Sequence, residues 1–120
     1  MKYLLATLLV LSAAGCVMTP QQIVDEGPRT TLSSALAPQE LALCLIRNAE
    51  AKSAVIFGQY RPGKIDGTIE VIIRAGGQGP DTVAVANIYS TKNGSEATMW
   101  LSPHIFGGHE RYAKELMMGC

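Results

Sequence analysis

Hydrophobic residues recur at helical spacing in two stretches of this chain and alternate with polar ones in between. Over Pro38 to Lys52 (PQELALCLIRNAEAK), Leu41, Cys44, Leu45 and Asn48 follow i, i+3, i+4, i+7, and Ala42, Ile46 and Ala49 widen the stripe. The spacing predicts a helix. Pro38 suits its first turn, where a missing N–H costs nothing, and Glu40 meets the positive end of the dipole. Arg47, Glu50 and Lys52 are left for the water side. From His109 to Met118 (HERYAKELMM), Tyr112, Ala113, Leu116 and Met117 form a second apolar stripe. There Glu110–Lys114 and Arg111–Glu115 are i,i+4 pairs in the favourable orientation.

Between the helices lie four predicted strands. Ala54 to Tyr60 ends at the turn signal Arg61-Pro62-Gly63. In Thr68 to Ala75, Ile69, Val71 and Ile73 alternate with Thr68, Glu70 and Arg74, the pattern of a strand with one buried face. A loose loop, GGQGPD at 76–81, separates it from Thr82 to Ser90, which is apolar on both faces and suits a central strand. Asn93-Gly94 predicts a type I′ hairpin, returning the chain as Ala97 to Leu101. The expected fold class is therefore α+β: a helix, a four-stranded antiparallel meander and a C-terminal helix. Both helices should lie on one sheet face, because an antiparallel sheet with one wet side needs cover on the other. This expected domain occupies residues 38–120.

The region before it has a different pattern. Residues 1–15 carry Lys2, an apolar run from Tyr3 to Leu11 broken only by Thr7, and the small-residue stretch Ser12-Ala13-Ala14-Gly15. This is the pattern of an export signal. The run is roughly half of the ~20 apolar residues that span a hydrocarbon core, so a stable transmembrane helix is not expected. Residues 16–37 mix Thr, Ser, Gln and two prolines without a sustained period. They read as a flexible tether reaching on the order of 25 Å, with Ile23-Val24 as a pair able to dock on the domain.

Composition narrows the function classes. The 120 residues are 48% hydrophobic and 17% charged, too apolar for a disordered tail. Ten basic residues balance ten acidic ones, so no phosphate-gripping surface is expected and nucleic acid is excluded as a partner. The three cysteines are Cys16, Cys44 and Cys120, and an odd count needs explaining in an oxidising compartment.

Ala13-Ala14-Gly15-Cys16 resembles the lipobox of bacterial lipoprotein signals, with Ala13 where Leu is preferred. The resemblance implies that Cys16 becomes the acylated first residue of the mature chain, anchored in a lipid bilayer by acyl groups such as palmitate. Lipidation consumes Cys16 and leaves Cys44 and Cys120 as an even pair, whereas ordinary cleavage after Ala14 leaves three thiols. Val17 is not the Asp that signals inner-membrane retention in enterobacterial lipoproteins. The implied address is the periplasmic face of the outer membrane. Cys44 sits on the apolar stripe of the first helix, and Cys120 lies four residues past Leu116. A bond between them would staple the two helices, a constraint of at most about 4.5 kcal/mol for a loop of that size.

The stretches Ala42 to Glu50, Gly94 to Trp100 and Gly119-Cys120 resemble a type of small proteobacterial lipoprotein without an assigned activity. The resemblance covers roughly a quarter of the chain. It implies a disulfide-closed periplasmic domain and transfers no catalytic residues.

A Cys44 nucleophile with His104 or His109 as base and Asn48 as orienter needs a free thiol, which the expected disulfide removes. His104 and His109 lie five apart with only Glu110 nearby, too few ligands to expect a metal. Gly76-Gly77-Gln78-Gly79 lacks the Lys-Ser/Thr of a phosphate loop and precedes a strand, so no nucleotide cofactor is expected. Glu70 and Arg74 are expected on a solvated sheet face. Trp100, opposite Met99, is a candidate interaction anchor if it is not covered, together with His104, Phe106 and His109 in the loop before the last helix. The expected function is a non-enzymatic interaction or envelope-structural module with a protein partner in the envelope. The alternative is an inhibitor or blocker lipoprotein that inserts the GGQGPD or PHIFGGH loop into an envelope enzyme or outer-membrane receptor.

Overall fold

Burial of consecutive residues, on both faces of the central strands, decides the architecture. A computed structural model describes residues 18–76, 81–103, 105 and 108–120. In chain order its elements are α1 (Pro20–Glu26), β1 (Arg29–Ser34), α2 (Pro38–Glu50), β2 (Ile56–Pro62), β3 (Ile69–Ala75), β4 (Asp81–Thr91), β5 (Gly94–Leu101) and α3 (His109–Leu116). The sheet has five strands in the order β1-β5-β4-β3-β2, every neighbouring pair antiparallel. The fold is thus α+β, with β4 in the centre.

Three rows of registered residues cross one face of this sheet. They are Gly58–Ile73–Ala84–Leu101, Tyr60–Val71–Ala86–Met99–Thr30 and Pro62–Ile69–Ile88–Ala97–Leu32. Leu41, Ala42, Leu45 and Ala49 of α2 and Ala113 and Leu116 of α3 form one core with Val71, Ile73, Ala84, Ala86, Ile88, Ala97, Met99 and Leu101. Burying each Leu, Ile or Met of this set contributes about 1.5–3 kcal/mol. Small residues at Ala84, Ala86 and Ala97 leave room for α2 to lie close to the strands. Gly58 does the same at the sheet edge: a Cβ there would stand 2.9 Å from Ile46 Cγ1.

The sheet has one strand more than the four expected, and the segment 16–37, expected as a flexible tether, contains both α1 and β1. The reason is the edge position. In Arg29–Ser34 only Leu32 is a large apolar residue, and the strand's exposure alternates between exposed and half-buried. An edge strand needs one partner and little apolar side chain, so its hydrophobic signature is weak. The expected pair Ile23-Val24 does dock, with Ile23 fully buried.

The β4–β5 hairpin is present, but its turn differs from the expected type I′. Thr91 pairs with Gly94, so Lys92 and Asn93 are the central residues, and no non-glycine residue among those described has positive φ. Gly94 stands in the strand at φ 148°, where a Cβ would lie 2.2 Å from the Ser34 carbonyl oxygen. The glycine serves close packing against the end of β1 rather than the turn itself.

Helices α2 and α3 are joined at their solvent edge by charge. Lys52 Nζ binds Glu115 Oε2 and stands 4.8 Å from the Tyr112 ring centroid, while Arg111 Nε donates to Glu115 Oε1 at 3.2 Å. The hydrogen bond from Lys52 holds the Glu115 carboxyl below its ordinary 4.5, with Arg111 adding to the effect against some desolvation. A carboxyl lowered by folding stabilises the native state above its unfolded pKa, and that contribution is lost as pH falls through the folded value. Glu115→Gln should therefore flatten the decline of Tm below pH 4.5 relative to wild type, measured by circular dichroism across an acid series. Gly58→Val, which drives methyl groups into Ile46, should cost about 1–3 kcal/mol in urea unfolding with an unchanged m-value.

Candidate functional site

The second face of the sheet is where the unassigned surface chemistry gathers. By register its rows are Gln59–Ile72–Val85–Trp100–Arg29 and Arg61–Glu70–Asn87–Thr98–Thr31. Ile72 and Val85 are almost fully buried although they belong to no helix-facing row. Over β4 and β5 the cover on this face is α1, whose Ile23 is fully buried.

Local sequence fixes this short helix. Thr19 Oγ1 accepts from the Gln22 backbone N–H at 3.2 Å, and Gln22 Oε1 accepts from the Thr19 backbone N–H at 2.9 Å. This is a reciprocal capping box, with Pro20 in the first turn. Tertiary hydrogen bonds then pin the approach to the helix. The Met18 backbone N–H donates to Asp81 Oδ1 at 2.7 Å, and the Thr82 N–H donates to the Met18 carbonyl at 3.1 Å. At the far end the Gly27 N–H donates to the Ile23 carbonyl at 2.7 Å. A Cβ on Gly27 would lie 2.4 Å from the Leu101 carbonyl oxygen, so only glycine passes the strand at this distance.

Because α1 is short, it covers only part of the face. Beside it a groove of about 500 Å³ remains, lined by Thr19, Pro20, Gln21, Val24, Arg61, Lys64, Ile65, Glu70, Val85, Asn87 and Trp100. Its charged side is ordered by pairing: Arg61 Nε donates to Glu70 Oε1 at 2.7 Å, across registered positions of β2 and β3. Lys64 Nζ donates to Gln21 Oε1 at 3.3 Å, joining the β2–β3 connection to α1. The volume falls within the ~300–1,000 Å³ typical of small-ligand sites.

Away from the groove lining, Cys44 and Cys120 form a disulfide, with Cα atoms 6.0 Å apart. Asn48, one helical turn beyond Cys44, closes the same corner. Its Nδ2 donates to the Leu116 carbonyl at 2.6 Å and the Met118 carbonyl at 2.8 Å, and lies 3.3 Å from Cys120 Sγ. An amide has two N–H groups, and both are committed here to ending α3. Ser34 Oγ, from β1, donates to the Cys120 carbonyl at 2.5 Å. The Cys–His–Asn arrangement considered from sequence is therefore a structural clasp at two of its members, with the Cys44 sulfur in a bond.

The sequence-predicted interaction residues do not converge on one site. Trp100 is half-buried on the α1 side, opposite Met99, and lines the groove. His109 lines a separate hollow of about 230 Å³ with Pro28, Arg29, Thr30, Leu101 and Glu110. Its Nε2 is buried without a hydrogen-bond partner among the described residues. Cys16, His104, Phe106 and most of the GGQGPD loop lie outside the described residues. Among the described residues no three His, Cys, Asp or Glu side chains gather as metal ligands, and no helix is long and apolar enough to cross a membrane.

Glu70 is not on an open solvated face as expected. It sits with its side chain 17% exposed, paired to Arg61 at the groove. Sequence reasoning also missed Lys64, Asn87 and Arg61, which meet only through strand register and the β2–β3 turn. One signal was legible: Thr19-Pro20-Gln21-Gln22 has the Thr-x-x-Gln form of a capping box and marks a helix start within the supposed tether.

No family model, curated protein or solved structure matches the chain.

Ile23→Ala should destabilise the protein by about 2–5 kcal/mol in chemical unfolding, as for a core residue rather than a tether residue. Asn48→Ala removes two hydrogen bonds to carbonyls at the clasp and should cost about 1–3 kcal/mol with the disulfide intact. Thiol titration of the unreduced protein under denaturant, which should find neither Cys44 nor Cys120 reactive, verifies that the bond survives in that variant.

Proposed function

We propose that this chain is an exported, lipid-anchored envelope protein whose α+β domain is a non-enzymatic binding or structural module. The observation that carries the reading is cysteine parity. Cys44 and Cys120 are bonded to each other, which leaves Cys16, in its lipobox-like setting, as the one cysteine without a disulfide partner assigned to it. A disulfide of this kind suits an oxidising compartment, and an acylated Cys16 suits a membrane surface facing one. The working domain on this reading is the sheet, with α2 and α3 as the cover of one face and α1 on the other.

The position of Met18 supports a short leash. Its backbone is bonded to Asp81 and Thr82, only two residues beyond Cys16. An anchor at Cys16 would thus hold the domain close to the bilayer, in place of the ~25 Å reach of a free tether. Several acyl chains, at about 0.8 kcal/mol per buried CH₂, would make that attachment durable. Val17 directs the anchored chain to the periplasmic face of the outer membrane, where an envelope protein would be its partner.

Metabolic labelling with an alkynyl palmitate tests this reading. Wild type should take up label and fractionate with the outer membrane, whereas Cys16→Ser should be unlabelled and released from it. An unlabelled wild type, or equal labelling of Cys16→Ser, would overturn the proposal.

A further inference from the structure

The groove beside α1 has the chemistry of a specific ligand site. Its apolar surface comes from Pro20, Val24, Ile65 and Val85, all aliphatic, with Trp100 as the single aromatic ring. Ile65 is 68% exposed at the rim, a large apolar residue held in water where a ligand would cover it. Val85 and Trp100 are registered partners on β4 and β5, so they form a continuous floor.

The polar groups share a direction of charge. Arg61 and Lys64 stand against one carboxylate, Glu70, and that carboxylate is already paired with Arg61. Among the described residues Lys64 has only the neutral Gln21 oxygen as a partner, and Gln21 in turn gives its amide N–H to Asp25 at 2.9 Å. One positive charge in the lining is therefore not neutralised by the groove itself. The Asn87 side-chain amide and the Trp100 indole N–H, both of lining residues, have no hydrogen bond among the described residues.

We propose that this groove binds a monoanionic amphiphile with a single aliphatic chain, a fatty acid. Its carboxylate lies at Lys64 within reach of the Asn87 amide, and its chain lies along Val24, Ile65, Val85 and Trp100. A doubly charged head would leave one charge uncompensated, and a flat aryl acid would meet one aromatic ring among aliphatic walls. Among the described residues the lining begins at Thr19, three positions past Cys16, so an acyl group on Cys16 is itself a competitor for the groove.

Trp100 is the only tryptophan in the chain, so its emission reports on the groove directly. The experiment titrates decanoate, below its micelle concentration, into the full chain carrying Cys16→Ser, so that no covalent acyl group competes. Decanoate should shift the Trp100 emission saturably, and decyltrimethylammonium, with the same chain and the opposite head, should not. Lys64→Glu exchanges an exposed charge at the rim; decanoate should bind it about tenfold more weakly and the cationic surfactant more tightly. A non-saturating response, equal response to both head groups, or unchanged affinity in Lys64→Glu would overturn the proposal. So would a concentration-dependent dimer, in sedimentation, that decanoate fails to dissociate and that Lys64→Glu abolishes, because the groove would then belong to a second copy.

Discussion

A sheet with apolar residues on both faces has to be covered twice, and this requirement shapes the protein. On β4, Ala84, Ala86 and Ile88 point to one side while Val85 is buried on the other. The residues of the first side share one core with apolar residues of α2 and α3. The second takes α1, which is only seven residues long and cannot cover the face by itself. The groove is what remains uncovered. Its place follows from the mismatch between the length of one helix and the width of the strands beneath it.

The two covers are held by different physics. Helices α2 and α3 sit on a continuous apolar core, reinforced by the Cys44–Cys120 bond and by Asn48 donating to the carbonyls that end α3. A domain of this size buries a modest core, so a covalent staple across a separation of 76 residues carries real weight in its stability. Helix α1 relies instead on one buried isoleucine, a capping box and backbone bonds from Met18. Elements with few buried contacts open at lower free energy than core elements. The groove therefore lies beside a lightly anchored element, whose opening is expected at lower free energy than that of the core helices.

The clasp also shows how residue types suggestive of chemistry can serve packing. Cysteine, histidine and asparagine are present in a number that permits a nucleophilic triad. The cysteine is oxidised to its partner, the asparagine amide is used up on carbonyl oxygens, and His109 faces another hollow. The polar side chains that line the groove, Asn87 and Lys64 among them, lie on the far side of the sheet, where no motif advertises them.

Much of the fold was legible in the chain itself because its determinants are local. Periodicity gave α2 and α3, alternation gave β3, apolar runs bounded by turn signals gave most of β2 and β4, the Asn93-Gly94 signal gave the return along β5, and the i, i+3, i+4 stripe placed Cys44 inward toward the staple. The capping box at Thr19 was equally local, yet it lay in a stretch whose Ser, Thr and Gln content resembled a linker. Strand β1 was not legible, since an edge strand with one large apolar residue takes its conformation from the β5 backbone to which it bonds. Apart from Trp100, which the sequence singles out as a candidate anchor, the candidate site belongs to this second category. Arg61, Lys64, Glu70, Asn87 and Trp100 are spread over forty residues of sequence and carry no common motif. Only strand register, which depends on the summed packing of both faces, brings them to one groove.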